Sequence, residues 1–257
     1  MSELTDRVIA ALHAEHDILV ALLADLDTEQ LKSPSGADDW TVAQVLSHLG
    51  SGAEIGRAPI ARAAGESVES EDNKTIWARW DAAGPADQAA GFVEHNTRWL
   101  ETLDALTPEQ RSSLTIDLGF LPEPVPLVTA LGMRLNEVAN HAWDVRVALD
   151  PGAEVNAESA AVLVDLLAGP LGFLLGFFAK PAELSEPVVV AAPGVGLVIE
   201  DTVTVVSGPE SSSATFQGSP GAFIRLLSGR LKEPHNKGIT VEGNVTLEDL
   251  HRVFPGF

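Results

Sequence analysis

The sequence predicts an α+β protein, with an N-terminal four-helix bundle and a smaller C-terminal α/β domain. Three observations predict it. Four long stretches before residue 150 each carry one apolar stripe at helical spacing, and such helices pack naturally as an antiparallel bundle. Asp150-Pro151-Gly152 is a firm stop. Beyond it the pattern changes to short strand-like runs separated by Gly, Pro and Ser. The expected domains are residues 1–152 and 153–257.

The first helix is expected over residues 4–27, where Val8, Leu12, Ile18, Leu19, Leu22 and Leu23 lie near helical spacing. His13 and His16 within it read as surface or boundary histidines. A Ser-, Pro-, Gly- and Asp-rich loop follows from Leu31 to Asp39. Thr41 and Gln44 then have the spacing of a capping box, which starts the second helix. Its stripe includes Val42, Val45, Leu46, Leu49, Ala53 and Ile60, and His48 falls roughly 120° from the stripe's centre. Gly50, Gly52 and Gly56 are each unfavourable in a helix, by up to about 1 kcal/mol relative to Ala. Three of them together imply that room is needed, for a neighbouring helix or for a ligand.

Residues 67–86 read as irregular apart from a short stretch around Trp77 and Trp80. The third helix is expected over residues 87–106, with His95 structural or exposed. The proline-dense run from Leu121 to Pro126 marks a break, and the fourth helix follows over residues 126–149. Glu137 and His141 lie on one flank of it, about 80–120° from its stripe centre.

In the second domain a helix is expected over residues 158–180, kinked at Pro170. Strands are expected at residues 188–192, 196–200, 202–207, 214–217 and 239–242. Ser219-Pro220 reads as an N-cap with proline at the first helical position, starting a helix that stops at Gly229. A last helix begins at Thr246.

Composition narrows the function. The chain has 257 residues and a net charge of −21, with no basic patch to neutralise phosphates, which argues against nucleic acid and against anionic membranes. There is no cysteine, so disulfides, thiolate metal sites and a nucleophilic thiol of its own are excluded. The N-terminus is charged early and lacks the apolar run of a signal peptide, so a cytoplasmic protein is expected. The one long apolar run, Leu166 to Ala179, is broken by Gly169-Pro170 and is shorter than the roughly 20 residues a bilayer requires. It reads as a buried or interdomain helix.

The chemistry concentrates in Leu135–Ala148. Glu137 precedes His141 by four residues and Asp144 follows, so all three share a face. A carboxylate and an imidazole so placed can grip a metal ion or pair with each other. Bundles build metal sites from facing helices, and His48 on the second helix could meet Glu137 and His141 on the fourth. Taken alone, an ion pair on a solvated flank explains these residues as well, and the H-E-x-x-H spacing of zinc proteases is absent.

Two motifs add a family. Asp39-Trp40-Thr41-Val42 leading to Val45-Leu46-Ser47-His48-Leu49 resembles the second-helix motif of DinB-like metal-dependent proteins, in particular the mycothiol-dependent maleylpyruvate isomerase branch. That branch pairs it with Glu-x-x-x-His-x-Trp-Asp, here Glu137, His141, Trp143 and Asp144. Leu226-Leu227-Ser228-Gly229-Arg230 and the C-terminal Leu250 to Phe257 are also similar to it. Asn140 departs from the branch, which more often has an aliphatic residue there.

The resemblance implies a DinB-like bundle holding a divalent metal, usually Zn²⁺, through His48, Glu137 and His141. It also implies a sterol-carrier-like second domain, with mycothiol as a low-molecular-weight thiol co-substrate. Three N/O ligands leave a position open, as in catalytic zinc sites. A coordinated thiol loses its proton, and the thiolate is the nucleophile. It would attack a small electrophile, either to isomerise a cis double bond such as that of maleylpyruvate or to leave a thioether. Asp144 is a candidate to orient a ligand histidine. Arg230 is the candidate catalytic arginine through the Ser-Gly-Arg segment, with Arg225, Arg134 and Arg57 as competitors. A non-catalytic protein holding an apolar or lipid ligand, and a thiol-independent metal hydrolase, are the alternatives.

Overall fold

The computed structural model describes residues 2–209 and 211–256; Phe257, the end of the C-terminal motif, lies outside them. The chain is α+β and divides into two compact units, Met1–Pro151 and Gly152–Phe257.

The first unit holds α1 (Ser2–Leu23), α2 (Thr28–Leu31), α3 (Val42–Ala63), α4 (Asn73–Ala82), α5 (Pro85–Asp104), α6 (Pro108–Ser113) and α7 (Leu127–Val147). A two-residue antiparallel ladder of β1 (Thr115–Ile116) and β2 (Val125–Pro126) precedes α7. The four long helices close a ring, in which α1 touches α5 and α7, and α3 touches the same two. Their stripes meet in a core that includes Val8, Leu12, Leu19, Leu46, Leu49, Phe92, Leu103, Leu135 and Val138. The start of α3 is local in origin: Thr41 Oγ1 accepts from Gln44 N–H while Gln44 Oε1 accepts from Thr41 N–H, a complete capping box.

The first helix is shorter than its periodicity predicts. It ends at Leu23, and Asp27 caps a separate one-turn helix through its own capping box with Gln30. The region after α3 is more ordered than its composition implies, because Asp72 caps α4 by accepting from the N–H groups of Lys74 and Thr75. His16 is not a surface residue. It is buried between α1 and α5, with Asn96 Nδ2 3.0 Å from its Nδ1 and Thr97 Oγ1 3.2 Å from its Nε2. Burial holds its pKa below the ordinary value, although Asp17 acts the other way and His13 adds to the lowering.

Among the described residues, the second unit contains α8 (Ala157–Leu167), the short α9 (Leu175–Phe178), α10 (Pro220–Leu227) and α11 (Leu247–Val253) with five strands. The strands are β3 (Val188–Ala192), β4 (Val195–Ile199), β5 (Val203–Ser207), β6 (Ala214–Gln217) and β7 (Thr240–Gly243). Their order is β5-β4-β3-β6-β7, antiparallel except for the β3–β6 pair. Buried and exposed positions alternate along β5 and β6, as a sheet with one covered face requires. Phe216 of β6 meets Phe223 of α10 with ring centroids 5.8 Å apart.

The helix expected over residues 158–180 is broken rather than kinked. The segments Ala157–Leu167 and Gly172–Phe178 are bent by 84°, and Phe177 is exposed. Gly169-Pro170 interrupts the ladder completely, since proline offers no N–H and its ring disfavours a helical predecessor. Among the described residues no single helix is long and apolar enough to cross a membrane; this bent pair passes by length and composition only.

Candidate metal centre

Packing of α3 against α7 brings the predicted donors together. His48, Glu137 and His141 each offer one ligand atom, and these atoms all lie within 4.8 Å of one another. His48 Nε2 is 3.2 Å from Glu137 Oε2, and His141 Nε2 is 3.7 Å from the same oxygen. The imidazoles meet edge to face, 4.8 Å between centroids. Two imidazole nitrogens and one carboxylate oxygen form a donor set that suits zinc and neighbouring divalent ions.

The helices aim these groups. Asp144, one turn beyond His141, is fully buried, and His141 Nδ1 lies 2.8 Å from its Oδ2. With the proton on Nδ1, His141 turns the lone pair of Nε2 toward Glu137. Partial burial alone would favour a neutral Glu137, but His48, His141 and Arg134 outweigh it and hold the carboxyl below the ordinary glutamate range. An ionised carboxylate is the form that binds a cation.

A residue that figured only in the motif completes the centre. The Trp40 ring lies 5.2 Å from that of His48 and stacks on that of His141 at 5.8 Å. The loop before α3 holds it there. Gly36 N–H donates to the Asp144 carbonyl at 2.8 Å, and a side chain at Gly36 would collide with Val147. Ser35 N–H donates to the Trp40 carbonyl, and Asp39 turns the chain with a φ of 64°.

Beside the donors is a cleft of about 460 Å³. Trp40, Gln44, Ser47, Ser51 and His48 line it from the α3 side, with Trp77, Trp80, Asp81 and Gln88 opposite. Its far wall is built by Trp80, whose indole N–H donates to Glu54 at 2.7 Å while Arg79 pairs with the same carboxylate. Trp80 lies in a slot between two glycines, where a Cβ at Gly50 or Gly91 would overlap its ring. His95 meets Trp80 edge-on and lies 3.6 Å from Glu54, so it is a structural residue of that wall.

The arginines separate clearly. Arg225 is buried, pairs with Glu154 at 2.8 Å and donates to the His235 carbonyl. Arg57 donates to Thr102. Arg134 is part-buried and donates to the Leu49 carbonyl and to Asn96. Burial lowers its pKa to about 10, with Glu137 acting against the change. Arg230 lies half-buried in the second unit after Gly229, which has a φ of 71° and packs on Gly256, so the two C-terminal motif segments touch. Asn140 is buried and donates to the Asn136 carbonyl one turn back.

The family described as "Mycothiol maleylpyruvate isomerase N-terminal domain" matches residues 12–146, more than half of the chain. The uncharacterized protein Rv0738 of Mycobacterium tuberculosis is 28% identical over 144 residues, which cover 56% of this chain and 68% of that protein. Solved structures of the mycothiol-dependent maleylpyruvate isomerase and of a histidine-to-alanine mutant share the fold. Each has a TM-score of 0.61 at 18% identity and covers 94% of both chains.

Proposed function

Because this chain belongs to the mycothiol maleylpyruvate isomerase N-terminal domain family, we propose that it is a metal-dependent enzyme that activates a low-molecular-weight thiol, mycothiol, toward a small electrophile. The observation that carries the reading is the convergence of His48, Glu137 and His141 within 4.8 Å. A divalent cation, zinc for preference, would be held by these three residues and would supply a Lewis acid that keeps the thiol deprotonated.

The chain's own residues do the rest. Asp144 orients His141 and stabilises its metal-binding tautomer. Trp40 covers the two imidazoles and limits water on that side. The cleft lined by Trp77 and Gln44 receives the thiol or the electrophile next to His48. Arg230 is the proposed cation for an anionic substrate, a role supported by its Ser-Gly-Arg motif. The reaction is isomerisation of a maleylpyruvate-like substrate or S-transfer to an electrophile; both begin with attack by the same thiolate.

The test is metal analysis of the purified protein beside His48→Ala, followed by thiol consumption and isomerisation assays. About one zinc per chain, lost with His48, and turnover only with thiol support the reading. An Arg230→Ala variant is expected to keep its metal and lose kcat. No metal uptake by the wild type would sink the reading, and turnover without thiol would replace it with a metal hydrolase.

A further inference from the structure

Arg134 sits one helical turn before Glu137 on α7, and Gly52 sits one turn after His48 on α3. The two meet: a Cβ built at Gly52 would lie 2.7 Å from Arg134 Nη1. Into that space the guanidinium reaches across to α3. Its Nη2 donates to the carbonyl of Leu49 at 2.6 Å and to Asn96 Oδ1 of α5 at 3.2 Å, and it lies 5.7 Å from the centre of the Trp99 ring. Leu49 follows His48 directly in the chain. The contact therefore ties the backbone beside one donor to the helix that carries the other two.

We propose that Arg134 is a positioning residue for the His48–Glu137–His141 group, setting the placement of α3 against α7 through the Leu49 carbonyl in the gap left by Gly52. The proposal rests on the metal reading above. Apolar contacts between helices are non-directional, whereas a charge-assisted hydrogen bond to one backbone carbonyl adds a directional restraint to the side-chain packing. Asn96 extends the arrangement to a third helix, since its Nδ2 lies 3.0 Å from His16 of α1. Both acceptors, on two helices, are served by Nη2, held in place by the planar guanidinium, which a shorter and freely rotating lysine ammonium reproduces only in part.

The experiment compares wild type with Arg134→Met, Arg134→Lys and Gly52→Ala, using Arg57→Ala as a control that breaks a different inter-helix contact. Two readouts are taken on the purified chain. The first is Co²⁺ affinity with its visible absorption spectrum, which reports ligand geometry. The second is the Trp40 indole N–H resonance of the metal-free protein, which reports the two imidazoles against that ring. Arg134→Met and Gly52→Ala are expected to weaken Co²⁺ binding by tenfold or more, alter the spectrum and move the Trp40 resonance, with Arg134→Lys intermediate and Arg57→Ala unchanged. Wild-type affinity, spectrum and Trp40 resonance in Arg134→Met or Gly52→Ala would overturn the proposal, as would an equal loss in Arg57→Ala. Absence of Co²⁺ uptake by the wild type would instead overturn the metal reading, and the Trp40 resonance would still decide whether Arg134 places the imidazoles.

Discussion

His141 and Asp144 form the most enclosed contact of the centre: Nδ1 lies 2.8 Å from Oδ2, and Asp144 has no solvent exposure. The pair is three residues apart on α7, so one helical turn supplies both the ligand and the group that orients it. Asp144→Asn keeps the volume and removes the charge. It is expected to weaken metal binding about 10- to 100-fold, the range for such partners. Competition with a chromophoric chelator would measure it; unchanged affinity would leave Asp144 as a structural residue only.

Trp77 separates ligand binding from metal binding. It lines the cleft beside His48 but is not one of the three donors, and about half of it is exposed. Trp77→Ala should keep full metal content and raise KM for thiol or electrophile. The expected size is about 2- to 10-fold, if the ring contributes the roughly 0.5–1.5 kcal/mol usual for an aromatic contact. Unchanged steady-state kinetics would remove the cleft from the proposed site.

Gly50 tests the slot that holds Trp80. A Cβ there would lie 2.6 Å from Trp80 Cζ3 and 3.0 Å from the Phe92 backbone. Glu54 and Gly91 hold the ring from its other sides. Gly50→Ala should therefore destabilise by about 1–3 kcal/mol from overpacking, although alanine gains up to about 1 kcal/mol in helix propensity. Urea unfolding would show it; a stabilised variant would mean that the ring can move.

Glu54 gives the protein an acid-sensitive wall. Burial opposes its ionisation, but hydrogen bonds from Arg79 and Trp80 prevail and hold its pKa below the ordinary 4.5. A carboxyl with a lowered folded pKa contributes stability above the unfolded value and loses it as pH falls through the folded one. Packing of α4 on α3 should thus weaken below about pH 4.5, seen as a shift of the Trp80 indole N–H resonance. Glu54→Gln should be less stable at pH 7 and lose this dependence. A Trp80 resonance that ignores pH in the wild type would contradict the assignment.

The caps were legible because they are made within one turn. Thr41 with Gln44, and Ser219 before Pro220, state their helix starts in four residues. Strand-like runs bounded by Gly, Pro and Ser likewise located the described strands of the second unit to within a residue or so. The break after Leu167 was underestimated, because a kink and a break share the same Gly-Pro signal and the chain's next contacts decide between them. His16 was misread for a related reason: its stripe position is marginal, and Asn96, 80 residues away, makes its burial tolerable.

For the centre itself, the sequence determined which groups could act: one imidazole and two carboxylates at helical spacing on α7, with His48 marked by the motif that opens α3, in a chain without cysteine. It did so because spacing on one helix fixes a shared face. The meeting of His48 with Glu137, 89 residues apart, was decided only in the tertiary structure, as were the stacking of Trp40 on His141 and the reach of Arg134 across Gly52. Those contacts depend on how two helices lie against each other. Side-chain volumes and polar contacts from α5 and the loop before α3 set that relationship, and no short-range pattern encodes it.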